Sequence, residues 1–385
     1  MVPEGWKVKQ LADICSKQIS YGIVQTGEHQ PNGIPCLRVV DLTKDEMHPE
    51  EMIRTSVETH ESYRKTILEK DEIVMALRGE VGLVRQIDTK LVGANITRGL
   101  ARISAKPHIV APEFLLWELR SPKFRADLMR RVGGSALQEI SLSELRKVQT
   151  LIPPLPEQKK IAQILSTWDK AITTTEQLLA NSQQQKKALM QQLLTGNKRL
   201  LDNNGVRFSG EWRERLLGDI SKITTGSSNR QDSHMHGAYT FFDRSEDIRT
   251  SDTYLFDCEA VIVPGEGQDF IPKYFVGKFD LHQRTYAIMD FPECHGKFLF
   301  YAIHYFRSHF LSQAVGSTVK SLRLPMFQKM KLKLPTFEEQ QKIAAVLSTA
   351  DQEISALQQK LEALKQEKKA LMQQLLTGKR RVKVH

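Results

Sequence analysis

Two long segments of the chain carry mostly apolar residues at alternating steps of four and three positions. In the first segment this stripe consists of Ile161, Leu165, Trp168, Ile172, Thr175, Leu179, Ser182, Lys186, Leu189 and Leu193. In the second segment it consists of Ile343, Leu347, Ala350, Ile354, Leu357, Leu361, Leu364, Lys368, Leu371 and Leu375. A heptad pattern of this length is typical of helices that pair in a coiled coil. Lys186 and Lys368 occupy equivalent stripe positions, where a polar residue can fix the register at a cost in stability.

The two segments are copies of each other. Residues 153–196 align with residues 335–378 at a constant offset of 182 without a gap, with 25 identities in 44 positions. Both copies end in Leu-Met-Gln-Gln-Leu-Leu-Thr-Gly. Prolines at the start of the first copy, a capping-box spacing from Thr336 to Glu339 and a glycine after each stripe predict helices of about 38 residues, or about 57 Å. A repeat of this length indicates a molecule built from two equivalent halves.

The regions outside the repeated helices alternate strand-like and helix-like patterns. Ile73–Leu77, the glycine turn at Arg78–Gly82 and the strand that follows correspond to Ala260–Val263 and the turn Pro264–Gly267 in the second half. Residues 112–132 and 292–315 have helical patterns. We therefore predict two mixed α/β (α+β) domains, separated by two long helices that form an antiparallel coiled coil with internal pseudo-two-fold symmetry. Antiparallel pairing is favoured because a large domain lies between the two helices in the sequence, although parallel pairing stays open.

The predicted boundaries follow from these patterns. They are domain 1 at 1–152, helix 1 at 153–196, a polar linker at 197–210, domain 2 at 211–334, helix 2 at 335–378 and a basic tail at 379–385. The tail is expected either to touch phosphate or to be solvated.

Composition and charge narrow the class of protein. A chain of 385 residues with 40% hydrophobic and 26% charged residues is typical of a globular protein of two to three domains. It has no apolar run of membrane-spanning length and no signal-peptide pattern, so we expect a cytoplasmic protein without a membrane partner. The formal net charge of +10 favours a polyanionic partner, with nucleic acid as the first candidate. Four scattered cysteines without C-x-x-C spacing favour free thiols over a zinc site or disulfides.

The common catalytic motifs are missing from the sequence. There is no G-x-x-x-x-G-K-[ST] loop, no G-x-S-x-G elbow and no H-E-x-x-H helix. No [DNS]-P-P-[YF] motif of an adenine methyltransferase occurs, and Gly265-x-Gly267 lacks the third glycine of a dinucleotide site. The sequence therefore predicts a protein that is not an enzyme and binds no cofactor or metal of its own.

The repeated motifs resemble the conserved regions of the specificity subunits of Type I restriction-modification systems. The resemblance rests on Pro154-Leu-Pro156-Glu157-Gln158 with Ile161-Ala162 and Ile164-Leu165-Ser166, on Phe337-Glu-Glu339-Gln340 with Ile343-Ala344 and Val346-Leu347-Ser348, and on the closing motifs. The openings Trp6 with Leu11-Ala12-Asp13-Ile14 and Trp212 with Leu217-Gly218-Asp219-Ile220 fit as well. The resemblance covers the whole chain in order.

The resemblance implies a division of labour between subunits. Each variable domain would be a target recognition domain that reads one half of an asymmetric, bipartite site in double-stranded DNA, and the helices would set the spacer. The subunit would scaffold two modification subunits, which bind S-adenosylmethionine and methylate adenine, and two restriction subunits, which use ATP and Mg²⁺ in an endonuclease complex.

Candidate DNA-binding residues lie near the turns of each domain. Arginine and glutamine are the side chains that most often read guanine and adenine. The candidates are Arg78, Arg98, Arg102, Ser135, Gln138, Gln283, Arg284, Ser317, Lys320 and Arg323. For each of them, a surface charge or a phosphate contact is the simpler interpretation.

Two other functions stay open from the sequence. The chain could be a non-catalytic coiled-coil adaptor without sequence-specific DNA binding, its basic charge being incidental. It could also be an autonomous methyltransferase or nuclease whose site has no familiar motif.

Overall fold

The computed structural model describes residues 2–134, 138–245 and 247–383. The chain divides into two compact units. Unit 1 comprises Met1–Thr175 and Lys360–His385, and unit 2 comprises Glu176–Gln359. Each unit therefore contains one globular region and a part of each long helix, so the division falls within the helices and not at the ends predicted from the sequence.

The globular region of unit 1 contains nine strands and five helices among its described residues. The strands are β1 (Lys7–Gln10), β2 (Ser20–Tyr21), β3 (Ile34–Leu37), β4 (Ile53–Thr55), β5 (Ile73–Ala76), β6 (Val84–Gln86), β7 (Asn95–Ile96), β8 (Leu100–Ile103) and β9 (Gln149–Ile152). The helices are α1 (Val39–Leu42), α2 (Val57–Ser62), α3 (Pro112–Leu119), α4 (Pro122–Arg130) and α5 (Leu142–Lys147). Short 3₁₀ turns cover Leu11–Ile14, Pro49–Glu51, Arg64–Thr66 and Thr89–Leu91.

The globular region of unit 2 has a similar order of elements. Its strands are β10 (Arg213–Leu216), β11 (Lys222–Thr225), β12 (Tyr239–Phe242), β13 (Arg249–Ser251), β14 (Phe256–Pro264), β15 (Glu266–Gly267), β16 (Lys273–Leu281), β17 (Thr285–Met289), β18 (Lys320–Ser321) and β19 (Lys331–Leu334). Its helices are α7 (Leu217–Ile220), α8 (Gly296–Tyr305), α9 (Ser308–Gln313) and α10 (Leu324–Gln328), with a 3₁₀ turn at Arg230–Asp232. The long helices are α6 (Leu155–Leu194) and α11 (Phe337–Leu375).

Strands that are far apart in the sequence are neighbours in the sheets. In unit 1 the orders are β2-β8-β5-β6, β4-β3-β7 and β1-β9. In unit 2 the orders are β11-β17-β14-β16-β12-β13, β15-β18 and β10-β19. The buried strand β5 and the buried half of β14 are continuous apolar runs, as expected for strands covered on both faces. The predicted class of two mixed α/β domains with long helices is confirmed.

The two predicted globular helices are each broken in two. Ser121 accepts a hydrogen bond from the Phe124 amide at 3.1 Å, and Pro122 follows it, so a new helix begins there. The second predicted helix divides into α8 and α9, which are separated by Phe306 and Arg307. The apolar pattern alone did not reveal these breaks.

The predicted apolar stripe of each long helix is turned inward. All twenty stripe positions are buried or half-buried. In unit 1, Ile161 and Leu165 of α6 belong to the same core as Leu375 of α11. In unit 2, Leu193 of α6 shares a core with Ile343 of α11. The ends of each stripe therefore contribute to the hydrophobic cores of the two units.

The beginnings of both long helices repeat the same buried polar contacts. In unit 1, Glu157 accepts from Trp6 Nε1 at 3.0 Å and from two nitrogens of Arg381 at 2.7 and 2.9 Å. In unit 2, Glu339 accepts from two nitrogens of Arg199 at 2.6 and 2.7 Å. The two glutamates and the two arginines are each 182 residues apart, so the contact follows the sequence repeat.

These contacts change the interpretation of the linker and the tail. Arg199 lies in the predicted linker, where Leu201 and Arg207 also form a β-bridge. Arg381 lies in the predicted basic tail and stacks over Trp6, with 5.8 Å between the guanidinium carbon and the ring centroid. Within the predicted tail, the guanidinium of Arg381 is therefore bound by Glu157, although its side chain is still 45% exposed.

Candidate nucleic-acid interface

Four loops meet at one edge of unit 1. We call them loops A1 (22–24), B1 (77–82), C1 (97–99) and D1 (133–134 and 138–141). Backbone hydrogen bonds join A1 to the strand before C1, C1 to A1, B1 to C1 and D1 to B1. These bonds are Ile23 N to Ile96 O at 2.7 Å, Arg98 N to Ile23 O at 2.8 Å, Leu77 N to Gly99 O at 2.8 Å and Ile140 N to Leu77 O at 2.9 Å.

Four loops of unit 2 meet in the same way. They are loops A2 (226–229), B2 (264–267), C2 (282–284) and D2 (315–323). The corresponding bonds are Ser228 N to Leu281 O at 3.3 Å, Gln283 N to Ser228 O at 3.0 Å, Gly265 N to Arg284 O at 2.9 Å and Leu322 N to Gly265 O at 2.8 Å. The two units therefore share one backbone framework at this edge, although their loop sequences differ.

A glycine permits the close approach of loop A in each unit. A Cβ atom on Gly22 would lie 1.8 Å from the Ile96 carbonyl oxygen, and one on Gly226 would lie 1.7 Å from that of Leu281. Such distances are far below van der Waals contact, so the backbone framework requires glycine at both positions. No DNA-binding candidate was predicted in loop A of either unit. The occurrence of Gly22 and Gly226 at similar distances after Trp6 and Trp212 was the available signal.

Several candidate DNA-binding residues occupy equivalent positions of the framework in the two units. Arg98 and Gln283 are both exposed, and each donates its backbone N–H to loop A of its own unit. Gln138 and Lys320 are exposed and are equivalent at the offset of 182. The same framework therefore presents an arginine in unit 1 where it presents a glutamine in unit 2.

Two further candidates in unit 1 have different outcomes. Arg78 is half-buried and forms a β-bridge with Glu139, which joins loops B1 and D1. Arg102 is only 6% exposed, and its Nε lies 3.7 Å from a carboxylate oxygen of Glu72. All four residues of β8 are buried, so Arg102 is part of the interior and we exclude it from the candidate surface. Ser135 lies outside the described residues.

In unit 2 one of the remaining candidates is paired with a carboxylate. Arg284 in loop C2 is paired with Glu266 in loop B2, and Arg244 approaches the same carboxylate at 3.4 Å. Lys320 lies beside this turn because β15 pairs with β18. Ser317 and Arg323 are exposed in loop D2. The pairing with Glu266 orients two guanidinium groups at the surface.

A neutral histidine supports loop C2. Burial lowers the pKa of His282, which keeps its ring uncharged near neutral pH. The Nδ1 atom of His282 accepts a hydrogen bond from the Arg284 backbone N–H at 3.1 Å. The side chain thereby stabilises the turn that presents Gln283 and Arg284.

Loop A1 also contributes to a cavity that the sequence did not predict. The cavity, of about 460 Å³, is lined by Tyr21, Val24, Leu77, Arg98, Ile140 and Leu142, among others. Tyr21 is 48% exposed and Val24 is 42% exposed. Both line the same cavity as Arg98. The cavity therefore combines an apolar contact surface with a cationic side chain.

Other kinds of site receive no support from the described residues. Within 2–134, 138–245 and 247–383, no group of three or more His, Cys, Asp or Glu side chains could hold a metal ion. Cys15, Cys36, Cys258 and Cys294 are free thiols, and burial raises the pKa of Cys15, Cys36 and Cys294 to about 12. None of the helices in the described part of the chain is long and apolar enough to cross a membrane.

Known proteins are similar to this chain in sequence and in fold. A 165-residue segment is 28% identical to the Type I restriction enzyme EcoBI specificity subunit of Escherichia coli and covers 42% of this chain and 35% of that protein. The MjaVIII specificity subunit of Methanocaldococcus jannaschii is 24% identical over 74% of each chain. The match with the E. coli subunit thus spans about a third of the relative's length.

Solved structures match over nearly the whole chain. The S subunit of a Type I restriction-modification system from M. genitalium has a TM-score of 0.64 at 15% identity, covering 97% of this chain and 96% of that one. The HsdS subunit from Thermoanaerobacter tengcongensis has a TM-score of 0.50 at 17% identity, covering 98% of both. At such identities the similarity establishes the fold. The family model described as Type I restriction modification DNA specificity domain matches residues 3–181 and 209–366, and the chain therefore belongs to that family.

Proposed function

We propose that this chain is the DNA-specificity subunit of a cytoplasmic Type I restriction-modification complex. It would be non-catalytic, and each unit would read one half of an asymmetric, bipartite target in double-stranded DNA. S-adenosylmethionine, ATP and Mg²⁺ would bind to two modification and two restriction subunits, and not to this chain.

One observation carries the proposal. Loops A to D form the same backbone framework in both units, but the framework presents Arg98 in unit 1 and Gln283 in unit 2. A shared framework with different side chains is what reading two different half-sites requires, because base edges are distinguished by side-chain donors and acceptors. Arginine favours guanine and glutamine favours adenine. The formal net charge of +10 would add attraction to phosphate that does not depend on sequence.

We further propose that α6 and α11 pair as an antiparallel coiled coil and set the spacer between the half-sites. Two ion pairs support this direction. Asp169 pairs with Lys368 in unit 1, and Lys186 pairs with Asp351 in unit 2. A higher residue number in α6 thus accompanies a lower number in α11, which is the order that antiparallel helices give.

A groove in unit 1 is a candidate docking surface for a modification subunit. It has a volume of about 880 Å³, an apolar floor that includes Ile164 and Trp168, and a rim that includes Lys159, Lys160, Arg380 and Lys383. None of the described residues that line it is acidic. An amphipathic segment of the modification subunit with acidic flanks would complement both the floor and the rim.

The reading function is tested with the chain reconstituted with its modification subunit. Mapping of methyladenine across the source genome would first give the target, which we expect to be one asymmetric split motif with a fixed gap. Arg98→Ala should then relax discrimination at one position of one half-site by about 1–3 kcal/mol. Gln283→Ala should do so only in the other half-site. Discrimination is measured as the ratio of methylation rates on cognate and single-base variant duplexes.

Matched controls separate reading from general charge. Arg130 in unit 1 and Lys333 in unit 2 are exposed basic residues outside loops A to D. Their alanine variants should leave discrimination unchanged. Equal methylation or binding of cognate and random duplex by the unaltered complex would reject the proposal and favour the coiled-coil adaptor. Methylation by the purified chain alone would instead favour an autonomous enzyme.

A further inference from the structure

We propose that Lys368 and Lys186 are positioning residues that fix the pose of each globular region on its pair of long helices, and thereby the permitted gap between the half-sites. The inference rests on the proposed function. It assigns the choice of gap to two side-chain junctions in addition to helix length.

In unit 1, Lys368 joins three helices. Its Nζ forms an ion pair with Asp169 of α6 and lies 5.0 Å from the ring centroid of Trp117, which belongs to α3. Trp117 Nε1 donates to Ser166 Oγ of α6 at 3.3 Å. Arg120 completes the junction, with Nη1 at 3.8 Å from Asp169 and its guanidinium carbon 5.3 Å from the Trp117 ring.

In unit 2, Lys186 forms the equivalent junction. Its Nζ forms an ion pair with Asp351 of α11 and lies 5.7 Å from the ring centroid of Tyr301, which belongs to α8. Tyr301 Oη donates to Asp351 at 2.6 Å, and Lys297 donates to Ser348 of α11 at 3.3 Å. Each junction therefore ties both long helices to one helix of the globular region.

The lysines stand at positions where an apolar residue would pack better. Both occupy the stripe of their helix and both side chains are 22% exposed. A cation there costs desolvation, which the carboxylate and the aromatic ring offset only in one arrangement. A slip of one heptad would place Ala344 or Gln358 opposite Lys186 in place of Asp351. The junction in unit 2 therefore favours one register over its neighbours.

The junctions act on the loops through short connections. In unit 1, α3 follows β8, which itself follows loop C1. In unit 2, α8 follows β17, which itself follows loop C2. Leu77 and Ile140 share the core of unit 1 with Trp117, and Leu322 shares the core of unit 2 with Tyr301. A change in how α3 or α8 sits on the long helices is thus transmitted through packing to loops B1, D1 and D2, and from them to the other loops through the backbone hydrogen bonds.

The test replaces both lysines with methionine in the chain reconstituted with its modification subunit. Methionine keeps the length of the side chain and suits an apolar stripe, so the helices should stay folded. A set of duplexes carries the two native half-sites with the native gap or with one base pair more or fewer. The preference for the native gap, measured as a ratio of methylation rates, should fall about tenfold, which is about 1.4 kcal/mol.

Two sets of variants complete the design. The exposed neighbours Lys187 and Lys369, replaced with methionine, should keep the native preference. Exchange of charge in the pair, with Lys368→Asp and Asp169→Lys together, should restore more of the preference than Lys368→Asp alone.

Each outcome decides the inference. Relaxed gap preference with unchanged half-site discrimination supports it. An unchanged gap preference or a loss of all methylation in the double methionine variant overturns it, and so does a charge exchange that restores no more of the preference than Lys368→Asp alone. If the unaltered complex shows no gap preference at all, the proposed function fails instead.

Discussion

At the scale of single residues, the beginnings of α6 and α11 offer a comparison within one molecule. Glu339 is 1% exposed in its side chain and Arg199 is 19% exposed, whereas Arg381, the partner of Glu157, is 45% exposed. Arg199→Met would leave a buried carboxylate without its cation and should lower the free energy of unfolding by about 3 kcal/mol. Arg381→Met should cost less, since water can approach that pair. Urea midpoints of the two variants measure the difference.

The comparison includes its own control. Replacing both partners, with Arg199→Met and Glu339→Gln together, removes the unpaired charge and should recover part of the lost stability. Equal urea midpoints for Arg199→Met and Arg381→Met would contradict the assignment of the effect to burial.

The buried carboxyl group of Glu118 in α3 should make the stability of unit 1 depend on pH. Burial raises its pKa from 4.5 to about 8, and its carboxyl group accepts a hydrogen bond from the Leu151 N–H at 2.7 Å. Between these two values the folded chain retains a proton that the unfolded chain releases. Stability from this group is therefore complete below about pH 4.5 and decreases as pH rises towards 8, by at most about 1.4 kcal/mol per pH unit.

Glu118→Gln should flatten that dependence and make the variant more stable than the native chain above pH 8. The melting temperature of both proteins between about pH 5 and about pH 9 is the measurement. Glu113→Gln, an exposed position on the same helix, should keep the native pH dependence. A parallel decline of the native chain and Glu118→Gln would exclude Glu118 as the cause.

At the scale of elements, loop A is constrained by the close backbone approach at Gly22 and Gly226. A methyl group at either position must displace the loop, and such overpacking typically costs about 1–3 kcal/mol. Gly22→Ala should weaken discrimination in one half-site and Gly226→Ala in the other, measured by competition between cognate and variant duplexes. Gly210→Ala, which lies outside loops A to D, is the control, because a Cβ atom there meets nothing within 4 Å. Loss of both half-sites from one substitution would indicate a general folding defect.

The same elements explain what the sequence could and could not predict. The stripes of α6 and α11 were visible because a helix repeats its inward face every few residues, and the duplication displayed the pattern twice. Loops A to D depend on hydrogen bonds between residues far apart in sequence, such as Ile140 and Leu77, which no local pattern records. Arg102 looked like a surface cation, but β8 is covered on both faces. The ion pairs of Glu157 and Glu339 with arginine could have been predicted from the sequence, since the two glutamates and the two arginines each recur at the repeat offset of 182.

At the scale of the whole molecule, the proposed spacer function predicts a change of gap when both long helices are shortened equally. Removing residues 174–180 and 356–362 takes one heptad from equivalent places and preserves the stripe on either side. Each helix then loses about 10 Å at 1.5 Å per residue, which is the length of about three base pairs. Since B-DNA also turns through about 34–36° per base pair, the new gap should be shorter by about one to about three base pairs.

Methylation mapping of cells that carry the shortened chain measures the new gap. The half-sites should stay the same, because loops A to D are untouched by the deletion. Removing the heptad from α6 alone should abolish methylation, since the stripes of the two helices would no longer match in length. If the doubly shortened chain kept the native gap, the helices would not act as the spacer, and the gap would have to be set by the globular regions. If the half-sites changed while the gap did not, the reading surface itself would extend into the helices, contrary to its assignment to loops A to D.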